Sequence, residues 1–162
     1  MALLYRQLGS PLGSIYIATD GTNLRILAMG GDNWRRLKQG FGAVREREHP
    51  ILWRTEEQLK GYFARQRRDF ELPIYFEGTA FQLAAWRALL AIPYGETRSY
   101  SEQARIINRP KAVRAIGRTN GLNPISIIVP CHRVVGKSGK LTGYASGLGD
   151  KKYLLDLEMG RG

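Results

Sequence analysis

The sequence predicts an α+β protein: a small N-terminal α/β domain with an antiparallel sheet, followed by a mostly helical C-terminal domain with a helix-turn-helix. Three observations predict it. Two β-prone segments flank the turn dipeptide Asp20-Gly21. From Thr79 onward the apolar residues fall at helical spacing. Two helix-start signals, one at Ser99 and one at Pro110, stand on either side of Asn108-Arg109.

Taken in order, residues 14–19 and 24–28 are the expected strands of a hairpin. Residues 51–66 have the spacing of a helix, with Leu52, Leu59, Tyr62 and Phe63 on one side. Phe70-Glu71-Leu72 is expected as a short strand, stopped by Pro73. The boundary falls between Pro73 and Thr79, giving domains 1–75 and 76–162. Thr79 can cap a helix whose apolar face is Phe81, Ala84, Ala85, Ala88, Leu89 and Ile92, and Pro93 ends it. Ser99-Tyr100-Ser101-Glu102 has the spacing of a capping box and starts a helix that reaches about Ile107. Pro110 suits the first position of a second helix, which runs to about Asn120. On that helix Val113 and Ile116, with Ala112, form a narrow buried stripe. Arg114, Gly117, Arg118 and Gly121 share another face. Glycine inside a helix costs on the order of 1 kcal/mol relative to alanine, a cost that close approach of another backbone would justify.

Composition narrows the function. The chain of 162 residues has 43% apolar residues, an ordinary globular share. No apolar run reaches the ~20 residues of a membrane span, and residues 1–10 lack the pattern of a signal peptide, so a cytoplasmic, non-membrane protein is expected. The single cysteine excludes an internal disulfide and the common structural zinc sites. No metal and no cofactor are expected. A net charge of +11 favours a polyanionic partner. The charge concentrates on the helix-turn-helix, where Arg98, Arg105, Arg109, Lys111, Arg114 and Arg118 face one acid, Glu102. His49, beside Pro50 in a charged stretch, is expected on the surface, and Gly136-Lys137-Ser138 fails as a phosphate loop because its first glycine would fall at Cys131.

Reactive chemistry points to residues 123–134. A buried apolar run, Ile125 to Val129, ends at Pro130, and Cys131-His132-Arg133 follows. Cationic neighbours lower a thiol pKa toward the thiolate, which makes Cys131 a candidate nucleophile. Adjacent residues of an extended chain point to opposite sides, so a direct Cys131–His132 pair needs a turn or a bridging water.

At this point the chain resembles the O6-alkylguanine-DNA alkyltransferases, or methylated-DNA–protein-cysteine methyltransferases. The motif Pro130-Cys131-His132-Arg133-Val134 is intact. Further motifs lie in order from residue 79 to 158: Pro93-Tyr94-Gly95-Glu96-Thr97, Ser99-Tyr100, Arg114-Ala115-Ile116-Gly117, Asn123-Pro124, Gly143-Tyr144 and residues 154–158. The resemblance implies direct-reversal DNA repair: stoichiometric, irreversible transfer of an alkyl group from O6 of guanine, and from O4 of thymine, to Cys131 after nucleotide flipping. It implies that His132 takes the thiol proton through a water and that Glu158 orients His132. Tyr100 would protonate guanine N3, and Asn123 would pin the turn before the active site. Arg114 would fill the gap left by the flipped nucleotide, with Ala115, Gly117 and Arg118 on the same DNA-binding helix. The carbonyls of Cys131 and Val134 would accept from the guanine amino group. Tyr144 and Ala145 would line the pocket, and Ser126, where some members have proline, would bear on alkyl-group size. The implied partner is double-stranded DNA carrying O6-alkylguanine, met by a monomer with cooperativity on DNA left open. Two other readings of the residues compete: a cysteine hydrolase using Cys131 and His132, and a helix-turn-helix regulator with an inert thiol.

Overall fold

The computed structural model describes residues 2–161. The chain divides into two compact units, one comprising the chain up to Phe76 with Pro124–Ser126, the other Glu77–Asn123 with Ile127 onward. No helix among the described residues is long and apolar enough to cross a membrane.

The first unit is a four-stranded sheet with two helices, its strands in the spatial order Leu24–Met29, Ile15–Thr19, Leu3–Leu8 and Val44–Glu46. Strands β1 (Leu3–Leu8), β2 (Ile15–Thr19) and β3 (Leu24–Met29) are antiparallel neighbours. The β2–β3 turn forms as its residues dictate. Asp20 Oδ1 accepts from the amides of Thr22 and Asn23, both at 2.8 Å, and Gly21 takes a positive φ of 94°. Strand β3 is buried at all six positions, so the sheet is covered on both faces at this strand. Helix α1 (Gly31–Lys38) packs on β2 and β3, and helix α2 (Pro50–Phe63) packs on β1 and β2.

Several elements here differ from expectation. Helix α1 is short and has only Trp34 buried. Packing holds it: Trp34 stacks on Tyr16 at 5.4 Å and tilts against Tyr5 at 4.9 Å. Strand β4 (Val44–Glu46) joins β1 in parallel at the sheet edge. Phe70-Glu71-Leu72 is not a strand. The Gln58 side chain takes both backbone groups of Glu71, at 2.8 and 3.1 Å, and so occupies them in place of a neighbouring strand. Helix α2 ends at Phe63, short of residue 66, because Arg65 turns to a φ of 60° and Gly61 O receives the amides of Gln66 and Arg67. His49 caps α2: its Nδ1 accepts from the Ile51 amide at 3.1 Å, with Pro50 in the first turn. From far along the chain, Pro124–Ser126 joins this unit through two backbone bonds, with Ile125 fully buried. Leu27 N donates to Pro124 O at 2.9 Å, and Ser126 N donates to Leu27 O at 3.0 Å.

The second unit is mostly helical. Helix α3 (Ala80–Leu90) and helix α4 (Tyr100–Ile106) each begin with a complete capping box, Thr79–Gln82 and Ser99–Glu102. With helix α5 (Val113–Gly121) they meet at Ala85, Ala104 and Ile116. Trp86 Nε1 ties α3 to α5 by donating to Thr119 O at 2.9 Å. The second helix starts three residues later than Pro110. Ala112 N donates to Arg109 O at 2.9 Å, so Pro110 sits in a turn, where its fixed φ serves equally well. Val113 is exposed, which leaves Ile116 as the anchor of the expected stripe. Strands β5 (Arg98–Ser99) and β6 (Val134–Val135) pair in parallel, and helix α6 (Leu148–Glu158) closes the unit.

Candidate active site

Cys131 opens a single 3₁₀ turn, Cys131–Arg133, which follows directly on Pro130. The turn removes the difficulty of adjacent residues diverging, since these three side chains are not extended. All three are buried. Upstream, Asn123 reaches across the loop. Its Nδ2 donates to Val129 O at 2.7 Å and to Cys131 Sγ at 3.3 Å. Between them Ile127 has a φ of 71°, an outlier for a β-branched residue, so the loop before the cysteine is strained.

His132 is fully buried, and its Nε2 lies 2.7 Å from Glu158 Oε2 on α6. Three more donors converge on the same carboxylate. Arg133 Nε and Nη2 approach its two oxygens at 2.8 and 3.0 Å, and the Gly95 amide donates at 3.2 Å. Arg133 Nη1 donates to Ile92 O at 2.7 Å. Gly95 has a φ of 80°, and the turn Pro93-Tyr94-Gly95-Glu96 needs a residue free to adopt it. Burial pushes the Glu158 carboxyl up, but the His132 and Arg133 contacts outweigh it and hold the group far below its ordinary value of 4.5. Glu158 is therefore ionised, and His132 donates to it through Nε2–H. That leaves Nδ1 as the basic nitrogen, and Nδ1 is buried with no hydrogen-bond partner among the described residues. Burial pushes the His132 pKa below its ordinary 6.5, against the pull of Glu158, so the ring is neutral.

The cysteine differs from expectation in its electrostatics. Burial pushes its thiol above the ordinary 9.0, and the Asn123 hydrogen bond, the Lys151 charge and a Tyr144 hydrogen bond offset this only in part. Arg133, expected to favour the thiolate, instead turns to Glu158. The resting group is a thiol that needs a base.

Tyr100, first residue of α4, donates its hydroxyl proton to Thr142 O at 2.9 Å. Lys151 was not anticipated. It is fully buried on α6, and its Nζ donates to the Tyr100 hydroxyl at 3.2 Å, to Thr142 O at 2.9 Å and to Gly143 O at 3.3 Å. Its neighbour Lys152 is exposed, and the pair looks like solvated charge in sequence. The available signal was spacing: Lys151, Leu154 and Glu158 stand at i, i+3 and i+7, one face of a helix.

A pocket of about 100 Å³ opens at Cys131. Tyr100, Gly117, Asn120 and Gly121 line it from α4 and α5, and Gly143, Tyr144 and Ala145 line it from the loop before α6. Gly117 is open to Tyr100, whose ring lies 4.0 Å from where a Cβ would stand. Val134 and Ser126 are not among these lining residues. Val134 is fully buried in β6, and Ser126 is held by Leu27 in the first unit. Arg114 and Arg118 are exposed on α5, while Ala115 and Gly117 are half-buried.

Comparison with known proteins accounts for nearly the whole chain. Residues 3–76 match the family described as 6-O-methylguanine DNA methyltransferase, ribonuclease-like domain, and residues 80–160 match the DNA binding domain of the same name. The methylated-DNA–protein-cysteine methyltransferase of Methanosarcina barkeri is 56% identical over 156 residues, covering 96% of this chain and 97% of that protein. The Mycobacterium tuberculosis protein of the same name is 46% identical over 160 residues, covering 97% of this chain and 93% of its own. The crystal structure of M. tuberculosis O6-methylguanine methyltransferase superposes with a TM-score of 0.88 at 43% identity, over 99% of this chain and 94% of that one. The structure of the M. tuberculosis protein in complex with DNA gives 0.86 at 45% identity, over 98% and 94%.

Proposed function

Because this chain belongs to the 6-O-methylguanine DNA methyltransferase family and is a methylated-DNA–protein-cysteine methyltransferase, we propose that Cys131 takes the alkyl group and is consumed by doing so. The observation that carries this reading is the polarity of the His132–Glu158 pair. An ionised Glu158 fixes Nε2–H, and the opposite nitrogen is a buried base with no partner among the described residues.

A water relays the Cys131 proton to His132 Nδ1, and the imidazolium is stabilised by Glu158. Sulfur attacks the saturated alkyl carbon, the S–C bond forms, and the C–O6 bond breaks with its electron pair going to guanine. Tyr100 gives its proton to guanine N3, and the phenolate it leaves faces the Lys151 ammonium at 3.2 Å. Before that, the Tyr100 hydroxyl must leave Thr142 O, its acceptor in the free protein. The product is a thioether. No acyl group exists for water to cleave, so the protein acts once.

The alkylated base must leave the duplex to reach a buried thiol. In this reading the exposed Arg114 on α5 fills the gap, Arg118 contacts phosphate, and the half-buried Ala115 and Gly117 allow close approach of DNA. Asn123 holds the strained loop so that Sγ faces the pocket. Tyr144 and Ala145, which line the pocket, close over the base. The substrates are O6-alkylguanine and O4-alkylthymine in double-stranded DNA, and the protein acts as a monomer in the cytoplasm. Intact mass after incubation with O6-methylguanine duplex tests the proposal. The expected result is one methyl mass per molecule, mapped to Cys131, with no further gain at excess substrate. Continued turnover would overturn it.

A further inference from the structure

The junction of α4 and α5 holds a buried polar pair in apolar surroundings. Gln103 and Asn120 are 1% and 6% exposed. Gln103 Nε2 donates to Asn120 Oδ1 at 3.0 Å, and Asn120 Nδ2 donates to Gln103 Oε1 at 2.8 Å. Gln103 Nε2 gives its second proton to Ala85 O at 3.1 Å. That carbonyl sets the polarity of the whole arrangement. It can only accept, so the Gln103 nitrogen must face it, and Asn120 must then offer its oxygen to that nitrogen. Neither amide can flip, and neither side chain can rotate without leaving buried polar atoms unpaired, which is costly.

Stability alone does not explain the pair. Its neighbours Ala85, Ala104 and Ile116 are apolar, and replacing both partners of a buried hydrogen bond by apolar groups of similar shape is often neutral. Location does explain it. Asn120 lines the pocket at Cys131, and the other α5 residues there are glycines, Gly117 and Gly121. Among the α5 residues that line the pocket, Asn120 is the one with a side chain. The pocket, at about 100 Å³, is far below the ~300 Å³ at the low end of small-molecule sites, so a large substituent enters only where a wall gives way.

We propose that Asn120, locked by Gln103, is a specificity-determining residue that limits the size of the O6 substituent this protein accepts. The inference rests on the alkyl-transfer reading above. A small alkyl group fits without moving the amide. A bulky one must displace it, and displacement breaks the hydrogen-bonded ring.

The test compares second-order rate constants for the free bases O6-methylguanine and O6-benzylguanine in the wild type, in the double variant Gln103→Leu/Asn120→Leu and in Gln103→Met. The double variant replaces the ring by apolar contact and is expected to unfold within a few degrees of the wild type. Its benzyl-to-methyl rate ratio should rise about 10-fold or more. Gln103→Met frees Asn120 to rotate and should move the ratio in the same direction by less, and it decides the matter if the double variant does not fold. A general loosening slows both bases alike and leaves the ratio alone. An unchanged ratio in a folded variant overturns the proposal. Failure of the wild type to accept methyl from either the free base or duplex DNA would instead overturn the alkyl-transfer reading.

Discussion

Lys151 Nζ lies 3.2 Å from the Tyr100 hydroxyl, and the lysine side chain has no access to solvent. A buried ammonium beside a phenol stabilises the phenolate that forms when the phenol gives up its proton. Lys151→Met should therefore slow alkyl transfer on the order of 10²-fold, the lower range for loss of a general acid–base contribution. The loss should be equal for duplex DNA and for the free O6-alkylguanine base. Single-turnover rates check it, and a loss confined to duplex substrate would place Lys151 in DNA binding instead.

Arg133 and Glu158 form a forked ion pair with both side chains out of solvent. Arg133→Lys keeps the charge but cannot present two parallel donors. Breaking a buried pair of this kind costs about 3–5 kcal/mol. Chemical unfolding of Arg133→Lys should show a loss above about 1 kcal/mol yet below that range, because the charge remains. A stability within 1 kcal/mol of the wild type, the scale of an exposed pair, would mean the fork contributes little.

The pH profile follows from the two shifted groups. The His132 pKa is pushed below 6.5 by burial, so the neutral base persists as pH falls through 6.5 and is lost only beneath it. Transfer rates should stay level from about pH 8 through 6.5 and decline below. Because the unfolded chain takes up a proton at 6.5 and the folded one resists, His132 also removes stability as pH falls beneath 6.5. The Cys131 thiol is pushed above 9.0, so iodoacetamide, which uses no relay, should react with it slowly near neutrality and faster only above that value. A fall in transfer rate centred above 6.5 would contradict the neutral-base reading.

Flipping and chemistry are separable. Arg114→Ala should slow repair within duplex DNA and barely alter reaction with a free O6-alkylguanine base, which needs no flipping. Tyr100→Phe should slow both, since both must expel the same guanine. Equal losses on duplex and free base for Arg114→Ala would refute its part in flipping.

The elements legible in the sequence were those whose signals are local. Asp20-Gly21 makes its turn with its own side chain and backbone, and Thr79 and Ser99 cap their helices within four residues. What was not legible depends on partners distant in sequence. Helix α1 exists because Tyr5 and Tyr16 hold Trp34, and Gln58 takes the backbone of Glu71 thirteen residues away. At the active site the motif named Cys131 and His132, but not the direction in which Arg133 turns, nor the burial that raises the thiol. Lys151 was hidden because a lysine next to another lysine resembles solvated charge, and only the helical register could have separated them.

The segment Pro124–Ser126 leaves one consequence for how sequences of this kind can diverge. Its attachment to Leu27 uses the amide and carbonyl of that residue and none of its side-chain atoms. A peptide group is the same whatever residue bears it. The N-terminal part can therefore change residue by residue without loss of those two bonds, provided the strand keeps its path. A deletion or insertion within β3 is different. It would shift the register by one, turn every side chain of a fully buried strand to the opposite face, and misalign the attachment point of the loop that leads to the cysteine. The attachment should thus survive side-chain changes that preserve the buried packing of β3, and fail on changes in its length.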